Sequence, residues 1–119
     1  MRPYEGLLTA IVTPFTAEGA VDEEGFVALG RHLLANGSDG LVVAGTTGES
    51  ATLLDEEQIR LFDLAREEFG SYVAGVGSND TRHAVHLTQA AVEAGASAVL
   101  SVTPYYNKPN RRGIRAHYT

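Results

Sequence analysis

Two pairs of adjacent hydroxyl side chains are the groups in this sequence best suited to handling a small anionic substrate. Thr46 and Thr47 lie within Gly45-Thr46-Thr47-Gly48-Glu49-Ser50, and Tyr105 and Tyr106 lie within Thr103-Pro104-Tyr105-Tyr106-Asn107. In the first segment the glycines let the backbone approach a ligand, and threonine hydroxyls with the surrounding N–H groups suit a carboxylate or phosphate. A structural turn would need the glycines alone, not two threonines and a serine. In the second, neighbouring side chains of an extended segment point to opposite sides. One tyrosine then packs while the other presents its hydroxyl, a group able to pass a proton. Pro104 and Pro109 flank the pair, and a rigid packed loop accounts for it equally well.

Other chemistries fit less well. Gly75-Val76-Gly77-Ser78-Asn79-Asp80 starts like a dinucleotide fingerprint but ends in aspartate, and no phosphate-binding P-loop is present. His83 and His86 are three apart, without a third ligand at a recognisable spacing. They read as surface histidines on a polar helix face, so neither a metal nor a cofactor is expected. With no cysteine, disulfides, thiolate sites and a cysteine nucleophile are excluded, in keeping with a reducing cytoplasm.

The elements that must carry these segments follow from periodicity. Apolar runs at Leu7 to Val12, Leu41 to Ala44, Tyr72 to Val76 and Ala98 to Val102 read as parallel strands buried on both faces. Between them lie three helical patterns. The first starts at Asp22 as N-cap and aligns Phe26, Leu29, Leu33 and Leu34. The second opens with a capping-box-like Asp55-Glu56-Glu57-Gln58 and continues through Ile59, Phe62, Ala65 and Phe69. The third follows Asn79-Asp80-Thr81 and aligns Ala84, Leu87, Ala91 and Ala94. Gly37, Gly70 and Gly95 end them, since a helix C-terminus commonly needs a left-handed residue. A fourth helix begins near Arg111 and is expected to be under way at Thr119. The alternation predicts an α/β fold with right-handed crossovers, either an open flavodoxin-like sheet or part of a (β/α)₈ barrel. Every polar segment follows a strand, and in both folds that is where ligands bind.

Composition agrees. The 119 residues are 44% hydrophobic and 20% charged, which suits one globular domain. A net charge of -6 argues against nucleic-acid binding, and the basic group Lys108, Arg111, Arg112 and Arg115 reads as a solvated helix start. No apolar run approaches the roughly 18 residues of a membrane span. The N-terminal Met1-Arg2-Pro3-Tyr4-Glu5 leads into no secretory leader pattern.

Three segments, Ala10-Ile11-Val12-Thr13-Pro14-Phe15, Gly45 to Ser50, and Thr103-Pro104-Tyr105-Tyr106-Asn107-Lys108-Pro109, resemble in order and spacing the signatures of the dihydrodipicolinate synthase/N-acetylneuraminate lyase family. The resemblance extends over nearly the whole chain. It implies the barrel, with residues 1–119 forming strands 1 to 4, three helices and the start of a fourth. The paired threonines are closer to the synthases than to the lyases of the family. The implied reaction is condensation of pyruvate with aspartate semialdehyde in lysine and diaminopimelate biosynthesis. Other pyruvate-dependent aldolases of the family are the alternative, as is a half-barrel that serves only in assembly.

By position, the resemblance implies that Thr47 binds the pyruvate carboxylate and that Thr46 and Tyr106 belong to a proton relay. Glu49 and Ser50 would support the loop. Tyr106 would reach into a neighbouring subunit, implying a homodimer commonly doubled to a tetramer. A lysine-feedback pocket is partly kept in Ser50, Ala51, Asn79 and Tyr105, whereas His83 stands where an acid is expected in lysine-sensitive members. Asp55 and Gln58 likewise replace histidines often found there. The family's Schiff-base lysine belongs on the sixth strand, and its fifth-strand tyrosine and nearby arginine are also absent from these 119 residues. Lys108, the one lysine here, sits in the Asn-Lys-Pro segment. Residues 1–119 alone are therefore expected to be inactive.

Overall fold

A computed structural model describes residues 5–119. Met1 to Tyr4, where most of the reading of the N-terminal leader falls, lie outside the described residues. The chain alternates strictly: β1 (Leu8–Ala10), α1 (Glu23–Ala35), β2 (Gly40–Val43), α2 (Asp55–Phe69), β3 (Val73–Gly75), α3 (Thr81–Glu93), β4 (Ala98–Leu100) and α4 (Arg111–His117). The fourth helix thus ends at His117, capped by Tyr118.

All strands are parallel, in the order β1-β2-β3-β4, with Leu8 beside Gly40, Val42 beside Val73, and Val73 beside Ala98. This order separates the two candidate folds. A flavodoxin-like sheet doubles back so that its first strand lies inside, whereas a barrel adds each strand beyond the last. The helices follow suit, α1 packing on α2 and α2 on α3 as one covering layer.

The expectation of strands buried on both faces holds for the inner pair and fails at the edges. Val43 and Ala74 are fully covered, while Val99 and Leu100 of β4 are 43% and 55% exposed. Neighbours on both sides close the faces of β2 and β3, and each outer strand has a neighbour on one side only. The core lies between this sheet and the helices, with Phe26, Leu61, Phe62 and Tyr72 sealed from solvent. Each such side chain contributes about 1.5–3 kcal/mol through burial. The rings of Phe26 and Phe69 lie 5.8 Å apart, those of Phe62 and Tyr72 6.1 Å. Helix α2 buries Leu61 and Leu64 besides Phe62 and Ala65, a wider stripe than the sequence pattern predicts, because it is wedged between two helices.

The caps place the helix starts. Asp22 accepts from Gly25 N–H at 2.9 Å and Asp80 from Arg82 N–H at 3.0 Å. Helix α2 differs from expectation: its N-cap is Leu54, whose N–H donates to Glu57 at 2.8 Å, so Asp55 is the first helical residue. Leucine offers no acceptor, and only one half of a capping box forms. Gly37, Gly70 and Gly95 take positive φ angles of 109°, 78° and 80° at the predicted stops. On the outer surface Arg60 donates to Glu23 at 2.8 and 3.0 Å and holds that carboxyl below its usual range. Arg111, Arg112 and Arg115 are exposed on α4. No helix among the described residues is long and apolar enough to cross a membrane.

Candidate active site

Because every strand points the same way, the segments that follow β1 to β4 meet at one end of the sheet. The segment after β1 supplies Thr13, only 4% exposed, whose hydroxyl donates to Gly48 O at 2.7 Å. The loop after β2 closes on itself: Glu49 N–H donates to Thr46 O at 3.0 Å and Ser50 N–H to Gly45 O at 3.3 Å. A short 3₁₀ turn, Ser50–Thr52, then leads to α2, and Thr52 Oγ1 donates to Glu49 O at 3.0 Å.

Backbone strain gathers in two of these loops. Among the described residues every non-glycine residue with a positive φ lies there: Ala44 (53°) and Glu49 (60°) bracket the threonine loop, and Tyr106 (70°) and Lys108 (43°) sit in the tyrosine loop. For side-chain-bearing residues the left-handed region is unfavourable, and it persists where surrounding contacts over-determine it. Gly48 shows that constraint. A Cβ there would lie 3.1 Å from Ala44 Cα and 3.3 Å from Ile11 O, so loop and strand ends touch through bare backbone.

Two cavities open beside the threonine loop. One, of 250 Å³, is lined by Ala44, Gly45, Thr46, Gly75, Gly77 and Leu100 among others, at the ends of β2, β3 and β4. The second, of 540 Å³, reaches toward α2 and α3 and includes Gln58, Ser78, Asn79, His83 and Tyr105. Thr46, Ser50, Gly77 and Val102 line both. Gln58, 2% exposed, donates to Gly75 O at 2.7 Å and so ties α2 to the end of β3.

The predicted residues divide accordingly. Thr46, Ser50, Ala51, Asn79, His83 and Tyr105 come together around the larger cavity. Thr47 is exposed on the same loop, outside both linings, and Glu49 is likewise exposed. Tyr105 lines the larger cavity at 46% exposure, while Tyr106, 93% exposed, lines neither. The positive φ of Tyr106 turns the chain at that point and separates the two side chains. Its hydroxyl is not brought to Thr46's cavity within this chain.

The histidines lie at the surface as the sequence reading has it, with side chains 40% and 58% exposed, and both meet a single carboxylate. His83 Nε2 donates to Asp55 Oδ1 at 2.7 Å, its Nδ1 lies 3.1 Å from Ser78 Oγ, and His86 Nε2 is 3.6 Å from the other Asp55 oxygen. Asp55 is available because it caps nothing. Residues 28 positions apart in sequence pair here because α2 and α3 are packed neighbours. No group of three or more His, Asp or Glu among the described residues is arranged to hold a metal ion. Sequence reasoning also missed Thr13 and Ser78 as buried hydrogen-bonding groups; their one signal was a polar residue directly after a strand.

Comparison with known proteins is consistent throughout the chain. The sequence model of the Dihydrodipicolinate synthetase family matches residues 3–119. The 4-hydroxy-tetrahydrodipicolinate synthase of Kineococcus radiotolerans is 52% identical over 122 residues, covering 100% of this chain and 40% of that enzyme. Dihydrodipicolinate synthase from Cyanidioschyzon merolae with lysine bound superposes with a TM-score of 0.94 at 41% identity, covering 99% of this chain and 41% of that one. The chloride-inhibited synthase from Acinetobacter baumannii complexed with pyruvate gives 0.93 at 40% identity, covering 96% and 40%. The chain spans about 40% of the length of these relatives. Its four strands are the N-terminal half of a (β/α)₈ barrel, and the chain belongs to the dihydrodipicolinate synthetase family.

Proposed function

We propose that this chain contributes half of the active site of a Schiff-base lyase that condenses pyruvate with aspartate 4-semialdehyde to give 4-hydroxy-tetrahydrodipicolinate, toward lysine and diaminopimelate. The observation that carries this reading is the threonine loop: a strained hydroxyl-bearing segment at the C-terminal ends of the strands, beside a cavity, in a chain 52% identical to a synthase of that name. In this reading a lysine amine condenses with the pyruvate carbonyl, releasing water, and loss of a methyl proton gives an enamine that attacks the aldehyde. Thr47 receives the pyruvate carboxylate, through its hydroxyl and the N–H groups of the loop. Thr46 passes protons, together with Tyr106 projecting into the site of a second subunit. The 93% exposure of Tyr106 supports a role outside its own chain. Glu49 and Ser50 hold the loop's shape, and the enzyme works in the cytoplasm as a dimer or a pair of dimers.

The test is borohydride trapping and condensation kinetics in the full-length protein. Pyruvate should form a reducible adduct, and aspartate semialdehyde should outcompete other aldehydes in a panel; preference for a sugar-derived aldehyde would move the assignment to another aldolase of the family. Residues 1–119 alone, with Lys108 as their one lysine in the tyrosine loop, should form no adduct. The Asp55 carboxylate meets His83 and His86 and lies outside the cavity lining, and Asp80, the acid that does line it, is taken up by Arg82 N–H as the N-cap of α3, so at position 83 a bound lysine's ammonium meets an imidazole in place of an acid. Lysine inhibition is accordingly weak or absent, and half-inhibition at sub-millimolar lysine contradicts this.

A further inference from the structure

The threonine loop and the tyrosine loop follow different strands, and in the proposed relay the Tyr106 arm of one chain must meet the threonine loop of a second subunit. One turn of the chain, Ser78 to Asp80 after β3, touches the supports of each. Ser78 is 5% exposed, and its Oγ accepts from Asp80 N–H at 3.2 Å. That hydroxyl also meets His83 Nδ1 at 3.1 Å, and His83 Nε2 meets the Asp55 carboxylate at 2.7 Å. A carboxylate requires the ring proton on Nε2, and Nδ1 shares its hydrogen bond with the Ser78 hydroxyl, a group that can donate or accept. Both ring nitrogens are thus engaged, one by the first residue of α2, the other by a buried group of the turn.

The same turn grips the tyrosine loop. Asn79 Nδ2 donates to Tyr105 O at 3.3 Å, and Asn79 O accepts from Asn107 Nδ2 at 3.2 Å. These bonds bracket Tyr106, whose left-handed backbone needs external support. On the other side, Asp55 opens the helix that follows the threonine loop and its 3₁₀ turn within a few residues.

We propose that the Ser78–Asp80 turn, clasped to the start of α2 by His83, is a positioning bridge that fixes the Tyr106 arm on the body of its own chain, and so sets where Tyr106 enters the second subunit's site, with His83 and Asn79 as positioning residues. The proposal rests on the reading that Tyr106 serves a proton relay. It assigns the His83–Asp55 pair to loop geometry and not to ligand binding. Loosening the clasp moves the tyrosine arm and leaves the Thr47 carboxylate site in place, so turnover suffers while pyruvate affinity does not.

The experiment is a double-mutant cycle in the full-length protein, with His83→Ala, His83→Gln and Tyr106→Phe. His83→Ala should lower kcat about tenfold, as a misplaced group does, with KM for pyruvate changed by less than about twofold. In the Tyr106→Phe background the same change should cost less than about twofold, because effects transmitted through one group do not multiply. His83→Gln keeps a donor for Asp55 and an acceptor for Ser78, and should restore most of the loss. Multiplicative effects of His83→Ala and Tyr106→Phe, or a KM that rises in step with the fall in kcat, would overturn the bridge. Hydrogen exchange separates this from failure of the functional reading: His83→Ala should speed exchange at residues 105–108 and not at 45–50, whether or not the wild type condenses pyruvate. Uniform acceleration in both loops, or none in either, counts against the proposal; Asp55→Asn provides a second variant should His83→Ala not fold.

Discussion

The loops after β2 and β4 have the same ingredients and opposite fates. Each follows a parallel strand, carries two adjacent hydroxyl side chains and holds two non-glycine residues in the left-handed region. The threonine loop is fastened to the sheet by Thr13, by its own turns and by the contact of Gly48 with Ala44 and Ile11. The tyrosine loop buries Pro104, is tied back by Asn79 and Asn107, and leaves Tyr106 in solvent. A loop fastened on several sides makes a recess of fixed shape, whereas one fastened at its base makes an arm. The difference teaches that strain alone does not reveal how a loop works: the contacts that maintain the strain do.

Four expected outcomes test this contrast, ordered by their effect on stability. Gly75→Ala should be the most severe. Its Cβ would fall 2.2 Å from Ala44 O, a backbone atom at the root of the threonine loop. Overpacking there should cost about 3 kcal/mol or more in urea denaturation. A loss under about 1 kcal/mol would mean that the strand ends yield, and that the recess is not fixed.

Next comes an alkaline effect at the other end of the strands. Burial pushes the Tyr72 hydroxyl from 10.0 up to about 12, with Asp63 adding to the rise and Arg66 opposing it. The folded protein therefore holds this proton more tightly than the unfolded chain does. That contribution is complete below pH 10 and is lost as pH rises through 12, a change of about 2–3 kcal/mol. Tyr72→Phe should remove this part of the alkaline slope, and an unchanged slope would place the titration elsewhere.

Thr13→Val should cost about 1–3 kcal/mol, since it leaves Gly48 O buried without its donor. Thr13→Ser keeps the hydroxyl and should recover most of that loss, so equal losses in both variants would point to packing in place of the hydrogen bond. Smallest in stability is Tyr106→Phe, within about 0.5 kcal/mol of wild type because the side chain is in solvent. Under the proposed function its kcat in the full-length protein should nevertheless fall by about a hundredfold, the scale of a lost proton-transfer group. An unchanged kcat would reduce the arm to a structural loop.

Much of the fold is legible in the sequence. Asp22 and the three glycines predicted helix ends that the structure keeps, and Phe26, Phe62, Ala84, Leu87 and Ala91 were predicted on the buried stripes they occupy. These are local signals, set by capping and by periodicity over a few turns. Asp55 was misread as part of a capping box because its neighbours imitate one, and Leu54 took the cap position. The exposed outer strands were misread because an apolar run does not declare how many neighbours it has.

By itself, the sequence determined the order of the elements, their ends and the placement of polar segments after strands, since each depends on residues close together in the chain. Periodicity left two α/β folds open, and the resemblance in the loop segments implied the barrel that the strand order bears out; only the tertiary structure decided that Thr13 reaches Gly48 across 35 residues and that His83 faces Asp55 across 28. Such pairs have no shared local pattern. They meet because strand register and helix packing bring distant residues within bonding range, and that geometry belongs to the folded chain as a whole.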